Sequence, residues 1–309
     1  MDCKLKFQYQ LYQNQFKQPL QTSHGIWQIR EGIIISLTNT IGTIAQGEIA
    51  PLPWFGSETL AQAVEFCQQL QGYITYEQIK EIPDCLPCCQ FAFESAYLAL
   101  QPKQENYNAL DFCYLLPAGE KALSSWQKIN PKGTNSTFKW KIGVLPLKDE
   151  IEILQWLVTL LPPEAKLRLD ANGGLTLDRA RQLLNICDRL PKIEFVEQPL
   201  SSDNLDHIFQ LSREYSTLLA LDESVASLRQ LKSVHQQGWQ GVYVIKAAIM
   251  GFPSKLVQFC QDYSLDLVLS SVLETDVARQ TVLNLSQQLS HPRALGFGVQ
   301  HLYSRTKLE

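Results

Sequence analysis

Lys141, Asp170, Glu197, Asp222 and Lys246 are of types that, brought together, do acid–base chemistry around a metal ion. Four of them end short apolar runs. Leu167-Arg168-Leu169 ends in Asp170, Phe195-Val196 in Glu197, Leu219-Ala220-Leu221 in Asp222, and Val242-Tyr243-Val244-Ile245 in Lys246. The steps between them are 27, 25 and 24 residues, each the length of one βα unit. Groups at equivalent places on successive parallel strands converge at the C-terminal mouth of the sheet, where active sites on such folds lie. Converging carboxylates repel each other unless a cation neutralises them. This trio contains only hard oxygen donors, which favours magnesium, with manganese as a substitute, over zinc or copper. One strand-end acid alone would read as the cap of the next helix; three in step do not.

Lys139-Trp140-Lys141 precedes the trio. Period-two alternation puts both lysines on one face and Trp140 on the other. On an exposed edge strand such a pair serves solubility; inside a barrel both must point into the lumen. Lys246 follows a strongly apolar strand, where an ammonium is costly unless nearby charge compensates it. Two lysines about a metal–carboxylate centre suit removal of a proton from a carbon next to a carboxylate, with the metal stabilising the enediolate.

The elements that must hold these residues begin near residue 109. Apolar runs at Phe112–Leu116, Thr137–Ile142, Leu167–Asp170, Phe195–Glu197, Leu219–Asp222, Val242–Lys246, Leu267–Ser270 and Ala294–Phe297 alternate with amphipathic stretches. One stretch is capped by Thr176 and buries Leu177, Ala180, Leu183, Leu184 and Cys187 at helical spacing. Eight such runs fit an α/β fold, a parallel (β/α) barrel spanning 105–295.

Residues 1–104 have another texture and read as an α+β capping domain. Leu5, Phe7, Tyr9 and Leu11 alternate with polar residues, so residues 4–12 form a half-buried strand. Strands near 26–38 and 41–49 follow across a turn at Asn39–Gly42. A helix capped by Ser57 presents Leu60, Ala63, Val64 and Cys67, and residues 88–100 form a second. Cys85-Leu-Pro-Cys88-Cys89 lacks a second ligand pair at zinc-finger spacing and reads as a loop entering that helix.

With 45% apolar residues the chain can bury a large core, and its net charge of −4, without a long basic run, argues against nucleic acid as a partner. No apolar stretch is long enough to span a bilayer and the N-terminus lacks a signal-peptide core, so a cytoplasmic location with reduced cysteines is expected. Oligomeric state is not legible.

The constellation resembles the enolase superfamily, and within its muconate-lactonising subgroup the o-succinylbenzoate synthase family. Matching stretches are residues 47–60 (Gly-Glu-Ile-Ala-Pro-Leu-Pro-Trp-Phe-Gly-Ser-Glu-Thr-Leu), 115–119, Phe138-Lys-Trp-Lys-Ile-Gly143, Leu169-Asp-Ala-Asn-Gly173, Val196-Glu-Gln-Pro199, Leu221-Asp-Glu-Ser224 and Leu269-Ser-Ser271. The resemblance implies a modified (β/α)7β barrel under an N-terminal cap, with a tail from 296 to 309 packing back on the cap. It implies magnesium held by Asp170, Glu197 and Asp222, with Lys141 and Lys246 as catalytic lysines. It further implies that Lys139, Asn172, Ser270 and Ser271 reach a small-molecule carboxylate substrate, that Glu223 supports the ligands from behind, and that a loop at 13–25, together with the Pro51–Gly56 turn, closes over a succinyl tail. The implied reaction is dehydration of 2-succinyl-6-hydroxy-2,4-cyclohexadiene-1-carboxylate to 2-succinylbenzoate, on the route to menaquinone or phylloquinone. An N-succinylamino acid racemase or a dipeptide epimerase would use the same centre. The eighth run, Leu295-Gly-Phe-Gly-Val299, lacks the acid that holds a peptide amine, which counts against the epimerase. A non-catalytic binding barrel would have lost some of the five charged residues.

Overall fold

A computed structural model describes residues 4–22, 25–101, 110–126, 136–289, 293–298, 302 and 307–308. In the first domain β1 (Leu5–Thr22) and β2 (Gly25–Thr38) form a long antiparallel hairpin, and β3 (Ile44–Ile49) pairs with β2. Helix α1 (Leu60–Gln69), the short strand β4 (Tyr73–Ile74), α2 (Tyr76–Lys80) and α3 (Pro87–Ala99) complete it. The first half of β1 alternates as expected, with Leu5 and Phe7 buried and Lys6 and Gln8 exposed. Beyond Tyr9 the buried parity changes. Leu11, expected inside, is 43% exposed, whereas Tyr12, Asn14 and Phe16 are buried. The pairing with β2 runs unbroken from Lys6 to Gln15, so no bulge turns the strand; its neighbours change. Near its start Phe7 packs on Phe93 of α3, and further along the other face buries Tyr12, whose hydroxyl donates to Glu48 of β3.

Two other expectations need correction. The segment 13–25 is strand rather than loop, because β1 continues to Thr22 with a shift of register between Gln15 and Leu20; residues 23–24 lie outside the described residues. Thr59, not Ser57, caps α1: Thr59 accepts from the Gln62 N–H and the Gln62 side chain accepts from the Thr59 N–H, closing a reciprocal pair. Ser57 Oγ instead accepts from the Leu52 N–H at 2.7 Å. As expected, the cysteine stretch leads into a helix that starts next to Cys88: Cys88 and Cys89 lie in the first turn of α3, where their N–H groups donate to Glu58 at 3.0 and 2.8 Å. Burial pushes both thiols well above their ordinary range, and Cys85 alone of the three is exposed.

The second domain alternates strand and helix: β5 (Phe112–Leu116), α4 (Lys121–Ser125), β6 (Thr137–Lys141), α5 (Leu147–Leu160), β7 (Lys166–Asp170), α6 (Leu177–Cys187), β8 (Ile193–Glu197), α7 (Leu205–Glu214), β9 (Leu219–Leu221), α8 (Leu228–Gln236), β10 (Val242–Ile245), α9 (Pro253–Tyr263), β11 (Leu267–Leu269), α10 (Asp276–Ser286) and β12 (Leu295–Gly298). Every pairing is parallel, strand order follows chain order from β5 to β11, and β12 lies beside β5. A parallel bridge between Ser270 and Gly296 nearly closes the barrel. As anticipated, Thr176 caps α6, which buries Ala180, Leu183, Leu184 and Cys187. The 104/105 boundary falls outside the described residues. β12 continues to Gly298, and Lys307–Leu308 forms β13, antiparallel to β1 on the cap sheet.

Two buried glutamates join the domains. Glu48 of β3 accepts from the Thr275 N–H and hydroxyl and from the Ala278 N–H, at the start of α10, and from the Tyr12 hydroxyl. Glu94 of α3 accepts from the Ser254 N–H and hydroxyl, both at 2.8 Å, in the first turn of α9. A carboxylate at a helix N-terminus satisfies donors that the helix itself leaves unpaired. Among the described residues no helix is long and apolar enough to cross a membrane.

Candidate active site

Strand register builds the site. Lys141 pairs with Asp170 and Asp170 with Glu197, so three of the charged residues form one row across β6, β7 and β8. Glu197 is opposite Ala220, two residues before Asp222, and Ala220 is opposite Val242, four before Lys246. Even spacing keeps Asp222 and Lys246 on the inward face. Beneath this layer Phe195, Ala220, Val242, Val244 and Val268 form a separate apolar cluster that fills the lumen. At the opposite end Arg168 donates to Glu194 at 2.6 Å, and Arg293 bridges Glu194 and Asp266. The pairing of β7 with β8 skips Glu194, which lets its side chain reach both arginines.

Above the plug lies a cavity of about 340 Å³, lined by Lys139, Lys141, Asp170, Asn172, Asp222, Glu223, Lys246, Ser270 and Ser271. Cys113, Leu115, Gly296 and Gly298 form its uncharged flank, and Leu20, Trp27, Leu52, Trp54 and Phe55 close it from the cap. A Cβ on Gly298 would stand 2.3 Å from the Cys113 carbonyl oxygen, so close strand approach requires glycine there. Glu197, 1% exposed, sits behind the cavity wall.

Cations and anions interleave inside. The Lys139 ammonium lies 2.7 Å from both Asp170 Oδ2 and Glu197 Oε1. Burial alone would lower the Lys139 pKa, but Asp170, Glu197 and Asp222 outweigh it and hold the ammonium firmly charged. Lys246 donates to Asp222 Oδ1. Burial, then the charge of Asp170, pushes Glu197 up to about 7 despite Lys139; burial, followed by Glu223, pushes Asp222 up to about 6 despite Lys246. Asp170 is held low because Lys139 overcomes its burial.

Asn172, at φ 42°, donates its backbone N–H to Asp170 Oδ1 and its amide to Glu223 Oε1. Glu223 Oε2 is buried without a hydrogen-bond partner and faces the same centre. Ser271 donates to Glu274 at 2.8 Å and accepts from the Leu273 N–H, while Ser270 stands against Gly296 at the closing bridge.

Several supporting residues escaped sequence reading. Gln198, at φ 38°, accepts from the N–H groups of Asp222 and Ser224 and donates to Ser224 Oγ and the Leu200 carbonyl, so it fixes the backbone that carries Asp222. Its only signal was the Val196-Glu-Gln-Pro199 stretch. Glu150 accepts from Gly143, Val144 and Leu145, anchoring the turn after Lys141. Arg30 donates to the carbonyls of Pro51 and Leu273 and so ties the cap to the loop after Ser271.

Asp170, Glu197 and Asp222 suit a magnesium ion in donor chemistry: all are oxygen donors, burial pushes Glu197 and Asp222 above the usual carboxylate range, and Glu223 leaves a buried oxygen unmatched. Among the described residues no three acidic, His or Cys side chains stand gathered about one point suited to a metal, because the Lys139 and Lys246 ammonium groups occupy the spaces between them.

Residues 127–306 match the enolase C-terminal domain-like family, and residues 7–100 match the MenC N-terminal domain. The o-succinylbenzoate synthase of Thermosynechococcus vestitus is 39% identical over 300 residues, covering 96% of this chain and 92% of that protein. That of Aliivibrio fischeri is 30% identical over 84% of this chain and 79% of its own length. The crystal structure of o-succinylbenzoate synthase from Thermosynechococcus elongatus BP-1, with magnesium in its active site, superposes with a TM-score of 0.91 over 99% of this chain and 96% of that one. The L-Ala-D/L-Glu epimerase of Bacillus subtilis shares the fold, with a TM-score of 0.81 at 19% identity, covering 99% and 92% of the two chains.

Proposed function

The chain belongs to the o-succinylbenzoate synthase family of enolase-type barrels, and from that premise we propose that it dehydrates 2-succinyl-6-hydroxy-2,4-cyclohexadiene-1-carboxylate to 2-succinylbenzoate. The product belongs to the menaquinone and phylloquinone route. Unpaired cysteines, including the buried Cys67, Cys113, Cys187 and Cys260, fit a reducing cytoplasm.

The observation that best supports this reading is the cavity shared by Lys141, Lys246, Asp170 and Asp222 beneath an apolar cap wall. Lys141 takes the proton from the ring carbon that bears the carboxylate. The electron pair released moves into the carboxylate and then back toward the ring as the C6–O bond breaks. Hydroxide leaves with the proton returned by Lys141, so water departs and the ring becomes aromatic. Magnesium on Asp170, Glu197 and Asp222, when bound, supplies charge that stabilises the developing enediolate. Lys246 presents an ammonium on the other side of the cavity. Lys139 holds Asp170 and Glu197 in place, and Asn172 fixes Asp170 and Glu223. Trp27, Trp54 and Leu20 exclude water over the reacting ring and receive the succinyl chain.

The test is a substrate panel assayed with magnesium and after chelation. Magnesium-dependent formation of 2-succinylbenzoate is expected. Racemisation of N-succinylamino acids or dipeptides without dehydration of the cyclohexadiene would overturn the assignment.

A further inference from the structure

We infer that Phe55, on the cap, is a positioning residue for the Lys246 ammonium; the contact stands on geometry, and its use in catalysis rests on the dehydratase reading above. The Lys246 Nζ lies 4.2 Å from the centroid of the Phe55 ring, inside the range in which the negative face of an aromatic ring attracts a cation. Its other partner is Asp222, so the ammonium is held between an anion on the barrel and a π face on the cap.

The placement of Phe55 is built rather than incidental. It ends a single 3-10 turn, Pro53–Phe55, closed by the Gly56 N–H donating to the Pro53 carbonyl at 2.9 Å. Gly56 has φ 86°, a conformation that glycine adopts without steric cost. Both ends of the turn are fastened: Arg30 donates to the Pro51 carbonyl, and the Leu52 N–H donates to Ser57. Beside Phe55, Trp54 meets Trp27 edge to face at 5.0 Å, and Trp27 meets Phe16 in the same way at 5.2 Å. Phe55 itself is only half-buried, and it lines both the catalytic cavity and a second cavity between cap and barrel. A phenylalanine recruited for apolar burial would be enclosed. This one keeps its face on a cation at the mouth of the site.

Because Phe55 comes from one domain and Lys246 from the other, seating of the cap and aiming of the ammonium are a single event. Loss of the aromatic face is expected to slow turnover by roughly three- to thirtyfold, the range spanned by cation–π contacts from exposed to desolvated.

The experiment uses the full chain with magnesium supplied. Phe55→Leu keeps apolar bulk and removes the π face, whereas Phe55→Trp keeps the face. Phenylalanines with one, two and three ring fluorines at position 55 weaken the face at nearly constant shape. We expect Phe55→Leu to lower kcat by that factor with little change in KM or melting temperature, Phe55→Trp to restore it, and log kcat to fall stepwise with fluorination. A second readout does not need the reaction. In protein labelled with carbon-13 lysine, the Lys246 ε-methylene signal, assigned by its loss in Lys246→Arg, should lie upfield through the ring current and return to the ordinary lysine position in Phe55→Leu. An unshifted signal in the wild-type protein removes the contact. An upfield signal together with kcat indifferent to fluorination, or equal in Phe55→Leu and Phe55→Trp, leaves Phe55 a space-filler and overturns the positioning role. If no cyclohexadiene turnover is found at all, the dehydratase reading fails while the methylene signal still decides the contact.

Discussion

At the scale of single residues, the site is a set of interleaved lysines and carboxylates, with one Glu223 oxygen left unmatched. Lys141 is the group proposed to move the proton. Lys141→Ala should therefore cut turnover at least about a hundredfold, the usual scale of general acid–base catalysis, while magnesium affinity measured by calorimetry stays near the wild-type value. Wild-type rates in that variant would reassign the base. Glu197 leads to a pH prediction. Burial and the nearby Asp170 raise it from 4.5 to about 7, so below about pH 7 the metal-free fold holds a proton there that magnesium must displace. Magnesium affinity should thus rise with pH up to about 7 and then level off. The linked stability has the opposite slope. A raised folded-state value stabilises the metal-free protein below pH 4.5, and that contribution disappears as pH climbs through about 7. Affinity titrations at pH 5.5, 6.5 and 7.5 that superimpose would take Glu197 out of the ligand set.

At the scale of elements, the strands were legible and the joints were not. The strands carrying Asp170, Glu197, Asp222 and Lys246 announced themselves as apolar runs ending in an ionisable residue, because parallel strands are buried on both faces, and β6 announced itself by the alternation of Lys139-Trp140-Lys141. The cap hairpin was partly legible: Leu5 and Phe7 alternate cleanly, but sequence cannot say that the surface lying against β1 changes beyond Tyr9. The roles of Gln198, Glu150, Glu48 and Arg30 were hidden for a similar reason. Each satisfies backbone groups whose orientation exists only after folding, and a lone polar residue in sequence does not announce a partner up to 243 positions away. The joints between cap and barrel are testable. Glu94→Ala removes the carboxylate that accepts from the Ser254 N–H and hydroxyl at the head of α9, and should cost about 1–2 kcal/mol in urea unfolding, as lost helix caps do. A change below a few tenths would mean that water replaces the carboxylate freely.

Over the whole molecule, charge is stratified. The mouth holds the lysines and acids of the candidate site; the far end holds Arg168, Glu194, Arg293 and Asp266. Burial raises Glu194, but Arg168 and then Arg293 outweigh it and hold the carboxyl below 4.5. A depressed folded-state value stabilises the protein above about pH 4.5, and the benefit is lost as pH falls through the lower folded value. Glu194→Gln should destabilise the protein at pH 7 by about 3–5 kcal/mol, because a buried guanidinium loses its partner, and should flatten the acid limb of the unfolding curve. A variant whose melting temperature matches wild type from pH 7 to pH 4 would show that Asp266 and water carry the arginines instead.

Between these two strata lie Phe195, Ala220, Val242, Val244 and Val268, an apolar diaphragm. It divides the barrel into compartments with separate duties. Whoever wishes to re-engineer the upper chamber for another carboxylic acid can rewrite its lining while the foundation below keeps the cylinder standing, and a thermostabilising change made in the basement should leave the chemistry upstairs untouched.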